Sequence, residues 1–359
     1  DYMVSFLLDN TLGAWHASKE LSSISSKMKN QGSEVEARLA ISLPNEDWDY
    51  LRLTRLTDGS WVPASGGFSK WPREAKNLRC IDPCMGSGHF MVAMLKKLVS
   101  LRQAEEALNV EDAVALVVRD NLYGLEIDAR CTQIAAFNIA LTAWNLAGRY
   151  FTLPRLNIAC SGVTPACSRS EWMDIANHSE GLWETLSDGD AQRVTRSLGR
   201  LYDMFSSADL LGSLIDIKTI QGDLLTADYT LLSPFLDSII KSKSLGEETC
   251  ERVGAAQGMS SAMAILNMSY DLVATNFPFL TQNKLPEPVN LHIRERCDYA
   301  RAELATAFAA LWLQRGQSIA FVSPSEWLYL GRFKEFRKHL LSITPCACNS
   351  GFWFLRNAS

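Results

Sequence analysis

Three short stretches carry residues whose types and spacing could do chemistry. The first is Asp82-Pro83-Cys84-Met85-Gly86-Ser87-Gly88-His89-Phe90. Glycines at 86 and 88 permit strained backbone dihedrals and let the main chain approach a ligand closely. A phosphate loop would need Lys and then Ser or Thr after the last glycine, but His89-Phe90 stand there. A dinucleotide fingerprint would need a third glycine at position 91, which is Met91. The turn therefore suits a nucleoside-like ligand without a pyrophosphate, or is a tight connection alone. The second stretch, Asn121-Leu122-Tyr123-Gly124-Leu125-Glu126-Ile127-Asp128, ends in acids. An acid closing the second strand of a nucleotide-binding sheet can accept both hydroxyls of a ribose. Glu126 is the candidate for that role and Asp128 for the cap of the next helix; the alternative is two acids that only cap a strand and a helix. In the third, Tyr270 to Thr275 is an apolar run that delivers Asn276, Pro278 and Phe279 to one place.

The elements that must position these residues are legible from their periodicity. Leu78 to Ile81 is an apolar run cut off by Asp82-Pro83, and Phe90, Met94 and Leu98 then recur at helical spacing beside Met91 and Leu95. Strand, glycine turn and helix make the first βα unit of an open, doubly wound α/β sheet, whose ligands bind at the carboxyl ends of the strands. A shorter helix (Val110, Val114, Val117, Val118) precedes the second strand. A longer one follows it, with Ile134, Phe137, Leu141 and Trp144 on one face and a stop at Gly148. Leu156 to Cys160 is a candidate strand, and about 164–216 reads as a helical insertion. Ile217-Lys218-Thr219-Ile220 alternates like a strand and runs into Gln221-Gly222-Asp223-Leu224. Asp223 there is either a ligand contact or a turn acid. Residues 1–20 read as helix and 58–77 as loop, together a helical N-terminal segment. Residues 78–345 form the main domain, and 346–359 begin a truncated downstream region.

Composition bounds the class. The chain has 359 residues, 47% hydrophobic and 21% charged, enough to bury a large core. Its net charge of −5 argues against a generally basic nucleic-acid binder, leaving room for a local basic face. Nine cysteines, an odd and scattered set, suit a reducing cytoplasm, and they form no zinc pattern with the five histidines. No secretory signal and no run approaching ~20 apolar residues is present, so no membrane partner is expected. The chain begins at Asp1 inside a helical pattern and is read as a fragment of a longer protein.

Taken whole, Asp82 to Phe90 closely resembles the S-adenosylmethionine motif of amino-group DNA methyltransferases, usually Asp-Pro-x-x-Gly-Ser-Gly-x-Phe. Asn276-Phe277-Pro278-Phe279 resembles the Asn-Pro-Pro-Tyr motif that marks methyl transfer to a planar amino nitrogen. The tract from Glu303 through Pro324-Ser325-Glu326-Trp327 to Arg337 resembles large adenine DNA methyltransferases of restriction and phage-exclusion (BREX-like) systems. The resemblance implies a Rossmann-like methyltransferase sheet with S-adenosylmethionine as cofactor and no metal. Asp82, Pro83, Cys84, Gly86, Gly88, Phe90, Glu126, Ile127, Asp223 and Leu224 would line its pocket, Asp223 on the adenine amino group. It also implies catalysis by Asn276, Phe277, Pro278 and Phe279 on an adenine flipped from double-stranded DNA, with defence-system proteins as partners. The amino lone pair of adenine is delocalised into the ring. Acceptance of its hydrogens by the Asn276 side chain and the carbonyl of residue 277 raises electron density on nitrogen. Phe279 keeps the stacking face of the usual Tyr. Phe277 replaces the usual first Pro but retains the carbonyl, and Pro278 biases it toward extended backbone; the alternative is a core anchor. Similar motifs serve RNA bases and protein glutamine, or survive in modules that bind without turnover.

Overall fold

The computed structural model describes residues 2–23, 32–165, 168–177, 181, 183–216, 258–343, 346–349 and 352–356. Asp223, Leu224 and the strand expected at 217–220 lie outside them. From the N-terminus come α1 (Tyr2–Leu8) and α2 (Ala14–Ser23), joined by a π-helical turn at Asp9–Gly13, then α3 (Glu34–Ile41) and an antiparallel hairpin of β1 (Leu53–Arg55) and β2 (Trp61–Pro63). The main layer starts with β3 (Cys80–Asp82), α4 (His89–Glu106), α5 (Val110–Asp120), β4 (Leu122–Glu126), α6 (Ala129–Ala147) and β5 (Asn157–Cys160). Next are α7 (Arg169–Asn177), α8 (Asp188–Phe205), α9 (Ala208–Leu211), a helix at 258–267 (α10) and β6 (Tyr270–Asn276). Last come α11 (Glu287–Cys297), α12 (Leu304–Trp312), β7 (Gly316–Val322), α13 (Lys334–Ile343), β8 (Cys346–Asn349) and β9 (Phe352–Arg356).

Among the described residues the main sheet has seven strands in the order β5-β4-β3-β6-β7-β9-β8. The first five run parallel, β9 runs antiparallel to β7, and β8 antiparallel to β9. Parallel strands are covered on both faces, which is why β3 and β4 are buried throughout and β6 up to its last residue. Side chains alternate between two cores. Cys80, Leu272, Ala274 and Ala320 face the layer of α1, α2, α4, α5 and α6. Ile81, Val273, Ile319 and Phe321 face the layer of α8, α10, α11, α12 and α13. This is the doubly wound α/β architecture that the sequence implies, with helices at 169–211 in the expected insertion.

Three expectations are corrected. The described part of the expected downstream region, Cys346–Asn349 and Phe352–Arg356, does not stand apart but completes the sheet edge beside β7. The 58–77 loop contains β2, folded back on β1 around Asp58-Gly59. The apolar face of α6 is not its buried face: Ile134, Phe137 and Leu141 are 49%, 61% and 41% exposed, while Ala135, Ile139 and Ala143 are buried. Small residues let α6 lie close against the glycine turn and α4, so close approach rather than side-chain size decides which face is inside. Among the described residues no helix is long and apolar enough to cross a membrane.

The π-helical turn ties the N-terminal segment to the sheet. Asp9 accepts from the Tyr50 amide (2.9 Å), and Asn10 donates to the carbonyls of Phe6 (2.9 Å) and Tyr50 (2.8 Å) while accepting from the Arg52 amide (3.1 Å). Lys97 of α4, buried, pairs with Asp9 (2.6 Å) and Glu46 (2.9 Å). Removing one partner of a buried pair strands the opposite charge, at a cost of about 3–5 kcal/mol. Lys97→Ala is therefore expected to lower unfolding free energy by roughly 3 kcal/mol or more, read from urea melts. Lys96→Ala, one residue away and exposed, should stay within about 0.5 kcal/mol of the parent.

Candidate active site

The carboxyl ends of β3, β4, β5 and β6 lie along one edge, and the strand order reverses between β3 and β6. Such a reversal opens a crevice, because the connections leave toward opposite faces. Register fixes the heights of its walls. Asp82 pairs with Gly124, Glu126 with Cys160, and Ile81 with Val273. Glu126 and Asn276 therefore stand two residues beyond the level of Asp82, about 7 Å at the usual strand rise. Asp82 sits low between two taller walls.

The turn after β3 is built on hydrogen bonds to β4. Gly88 N–H donates to the Met85 carbonyl (2.7 Å), Met85 N–H to the Leu125 carbonyl (3.0 Å), and Gly86 N–H to Glu126 Oε2 (2.7 Å). Gly88 opens α4 at φ +90°, and a Cβ there would lie 3.2 Å from Ala135. Gly86 has φ +53°, and among the described residues, its chain neighbours aside, no atom lies within 4 Å of the point its Cβ would occupy. The turn thus offers bare main chain to open space. Glu126 also accepts from the amides of Ile127 (2.9 Å) and Asp128 (3.1 Å). A carboxylate presents about four acceptor positions, so one remains. Beside it Ile127 is 43% exposed. Open backbone, an acid with a spare lone pair and an exposed apolar side chain are the set a nucleoside needs. Asp128 caps α6, accepting from Arg130 N–H (2.7 Å), as its position in the sequence implies.

Asp82 is buried and accepts from the Cys84 amide (3.1 Å). Burial pushes its carboxyl up to about 7. The Thr275 hydroxyl and the Cys84 amide pull it back down, and the Glu126 charge pushes it further up. The Thr275 hydroxyl favours the ionised form without making a formed hydrogen bond, and has no other partner among the described residues. Across the crevice, β6 delivers Asn276 exposed at its end. Phe277 turns inward, wholly buried, stacked 5.2 Å from Phe308 of α12 and 5.5 Å from Phe321 of β7. Pro278 is exposed and Phe279 is 43% exposed. A hydrogen bond from Leu304 N–H to the Leu280 carbonyl (2.8 Å) holds this exit against α12.

Residues 120–346 match the model of the Eco57I restriction-modification methylase family. The chain belongs to that family. It is 22% identical to the adenine-specific methyltransferase PglX of Lacticaseibacillus casei (strain Zhang), over 95% of this chain and 26% of that protein. It is 23% identical to the adenine-specific methyltransferase BrxX of Escherichia coli O9:H4 (strain HS), over 95% of this chain and 27% of that one. The chain thus spans about a quarter of the length of these relatives. Among solved structures it is similar to a nuclease-deletion mutant of the Type ISP restriction-modification enzyme LlaGI in complex with a DNA substrate mimic. The identity there is 12% and the TM-score 0.44, covering 79% of this chain and 21% of that one.

In this chain the residues singled out from sequence sort into four groups, with Pro278 exposed between the two phenylalanines. Asp82, Gly86, Gly88, Glu126, Ile127, Asn276 and Phe279 surround the crevice. Phe90 and Phe277 are buried side chains, Phe90 in the core beneath α4 with Met91 and Met94. Pro83 and Cys84 form the peptide between Asp82 and the turn. Asp223 and Leu224 lie outside the described residues. Two residues escaped the sequence reading. Ser161, just after β5, donates its amide to the Glu126 carbonyl (2.7 Å), and its buried hydroxyl has no partner among the described residues. The Ser-Gly step after a strand is a signal that could have found it. Ser213 carries no such signal.

The geometry separates the two phenylalanines. Phe277→Pro should lower thermal stability and activity together, because it empties a site between Phe308 and Phe321; loss of a buried Phe ring costs about 3–5 kcal/mol. Phe279→Ala should leave stability within about 0.5 kcal/mol, a contrast that calorimetric melts read directly. Asp82 makes stability pH-dependent. Its folded pKa lies above the ordinary carboxylate value, so its proton is held more tightly in the folded state. The fold is then destabilised as pH rises from about 4 to about 7, by up to roughly 4 kcal/mol. In Asp82→Asn that part of the decline should vanish, as followed by urea melts at stepped pH.

Proposed function

We propose that this crevice binds S-adenosylmethionine and that the chain is the catalytic part of an adenine-specific DNA methyltransferase of a restriction or phage-exclusion system. Its substrate would be an adenine rotated out of double-stranded cytoplasmic DNA. The observation that carries this reading is the pairing of two motifs across one reversal of strand order: Asp82 to Gly88 after β3 and Asn276 to Phe279 after β6. The family match and the names of the curated relatives support the same chemistry.

When bound, S-adenosylmethionine supplies an electrophilic methyl group on a sulfonium. The residues do the rest. Glu126 offers its remaining lone pair to a ribose hydroxyl, Ile127 lies against an adenine face, and the Asp82 carboxylate answers the ligand's positive charge. Asp223, which follows the strand-like run 217–220 in the sequence and lies outside the described residues, would read the amino group of the cofactor's adenine. On the other wall, Asn276 Oδ1 and the carbonyl of Phe277 accept the two hydrogens of the target amino group. They hold the nitrogen in place and meet the positive charge that develops on it as the new bond forms. Phe279 stacks on the extruded base.

The test is transfer of a labelled methyl group to duplex DNA by the longest natural polypeptide that carries this chain, with RNA and glutamine-peptide substrates in parallel. Label is expected in N6-methyladenine of DNA. Asn276→Ala should lower kcat by roughly 10²–10³, with cofactor affinity almost unchanged, the scale of one preorganised polar contact. Transfer to RNA or peptide alone, or full activity in Asn276→Ala, would reject the assignment.

A further inference from the structure

The helical insertion ends in a short 3-10 turn, Gly212–Leu214, that touches the loop after β3 and the end of β4. The Ser213 hydroxyl, buried, donates to the Pro83 carbonyl at 2.7 Å, with Cys84 Sγ at 3.8 Å. Gly212, at φ +50°, lies against Ile127, and a Cβ there would come within 3.1 Å of the Ile127 side chain. The turn is itself held from below. His292 Nε2 donates to the Leu214 carbonyl (3.1 Å), and Arg315 donates to the Ile215 carbonyl (2.7 Å) and to Asp216 (3.3 Å).

The Pro83 carbonyl and the Cys84 amide belong to one peptide group. Its oxygen accepts from Ser213, and its N–H donates to Asp82 Oδ1 at 3.1 Å. Hydrogen bonds in series polarise one another, so a donor on the carbonyl strengthens the N–H as a donor to the carboxylate. We propose that Ser213 is a positioning residue of the cofactor site, acting through the Pro83–Cys84 peptide to keep Asp82 oriented and ionised for a cationic ligand. This rests on the reading of the crevice as a site for S-adenosylmethionine. The insertion then serves the cofactor site as well as the packing.

The consequence is a specific pH dependence. Among the described residues the titratable groups that face Asp82 are Glu126 from β4 and Cys84 from its own loop; β6 contributes Thr275, which does not titrate. A cationic ligand favours the ionised carboxylate, so affinity should rise with pH up to about 7 and level off above it. Without the Ser213 hydroxyl the carboxylate loses support, and the rise should continue to higher pH.

Calorimetry of S-adenosylmethionine binding from pH 5 to 9 tests this on the chain itself, without turnover. For Ser213→Ala we expect affinity at pH 7 to fall by roughly 3–10-fold, the scale of one hydrogen bond. The difference should narrow toward pH 9, and the midpoint of the profile should move upward. Ser213→Cys, slightly larger and a weaker donor, assayed under reducing conditions that keep it from bridging Cys84, should fall between and covers the case in which the alanine variant does not fold. In an Asp82→Asn background the effect of Ser213→Ala on the profile should disappear. An unchanged midpoint with weaker binding, or parental affinity and profile in both Ser213 variants, overturns the role of Ser213 alone. A parent chain that binds no S-adenosylmethionine overturns the reading of the crevice and the inference with it.

Discussion

The two walls of the crevice are carried by strands far apart in the chain, and one seam of hydrogen bonds brings them together. Asp271 N–H donates to the Arg79 carbonyl (2.9 Å), and the Asp271 carboxylate accepts from Arg79 N–H across 192 residues of sequence (2.8 Å). The same carboxylate accepts from Gln317 Nε2 (2.8 Å), so one side chain joins the starts of β3, β6 and β7. Burial raises its carboxyl pKa against the pull of the Arg79 amide. A one-residue slip at this seam would exchange the two cores and turn Ile81 and Val273 to the wrong layer. It would also move Asn276 by one strand rise relative to Asp82, about 3.3 Å, more than a reacting geometry tolerates.

The acids of the site share an arrangement that distinguishes them from those holding the N-terminal segment. Lys97 answers Asp9 and Glu46 with a buried charge, and that cluster is electrostatically closed. Asp82 and Glu126 are answered by backbone amides and, at Asp82, by the Thr275 hydroxyl, with no cation at ion-pair distance among the described residues. Amides orient a carboxylate and partly offset its desolvation without cancelling its charge. The crevice therefore keeps unspent negative potential where a cationic ligand would lie. Burial of that carboxylate, only partly offset by its hydrogen-bond donors, is why the Asp82 carboxyl is pushed up to about 7.

Most of this was legible in sequence, because the informative signals are local. An apolar run stopped by Asp82-Pro83, glycines two apart and a helical repeat after them specify a strand, a turn and a helix without tertiary help. Asp128 as a cap is equally local. What was not legible depends on approach between distant elements. Ser213 works only because the end of the insertion passes over Pro83, 130 residues away. Periodicity placed Ile134, Phe137 and Leu141 inside, yet Gly88 requires a small neighbour, and Ala135 with Ile139 and Ala143 faces inward instead. The strands at 346–356 were set apart because the sheet edge they complete, against β7, is formed by pairing rather than by pattern.

Phe277 shows how a departure from a motif can be absorbed. Position 277 has two tasks, to present a carbonyl at the rim and to fix the backbone that carries it. A proline ring does the second by restricting φ. Here the fixing is done from the side: the phenylalanine ring is gripped between Phe308 and Phe321, and Pro278 restricts the residue before it toward extended backbone. The rigidity that a pyrrolidine would supply covalently is supplied by packing, and it becomes part of the stability of the α12 layer. Rim and core are coupled through this one residue, so a change to the packing around Phe308 or Phe321 reaches the carbonyl proposed to hold the target nitrogen. In a chain with the usual proline those two properties would vary independently; in this one they cannot.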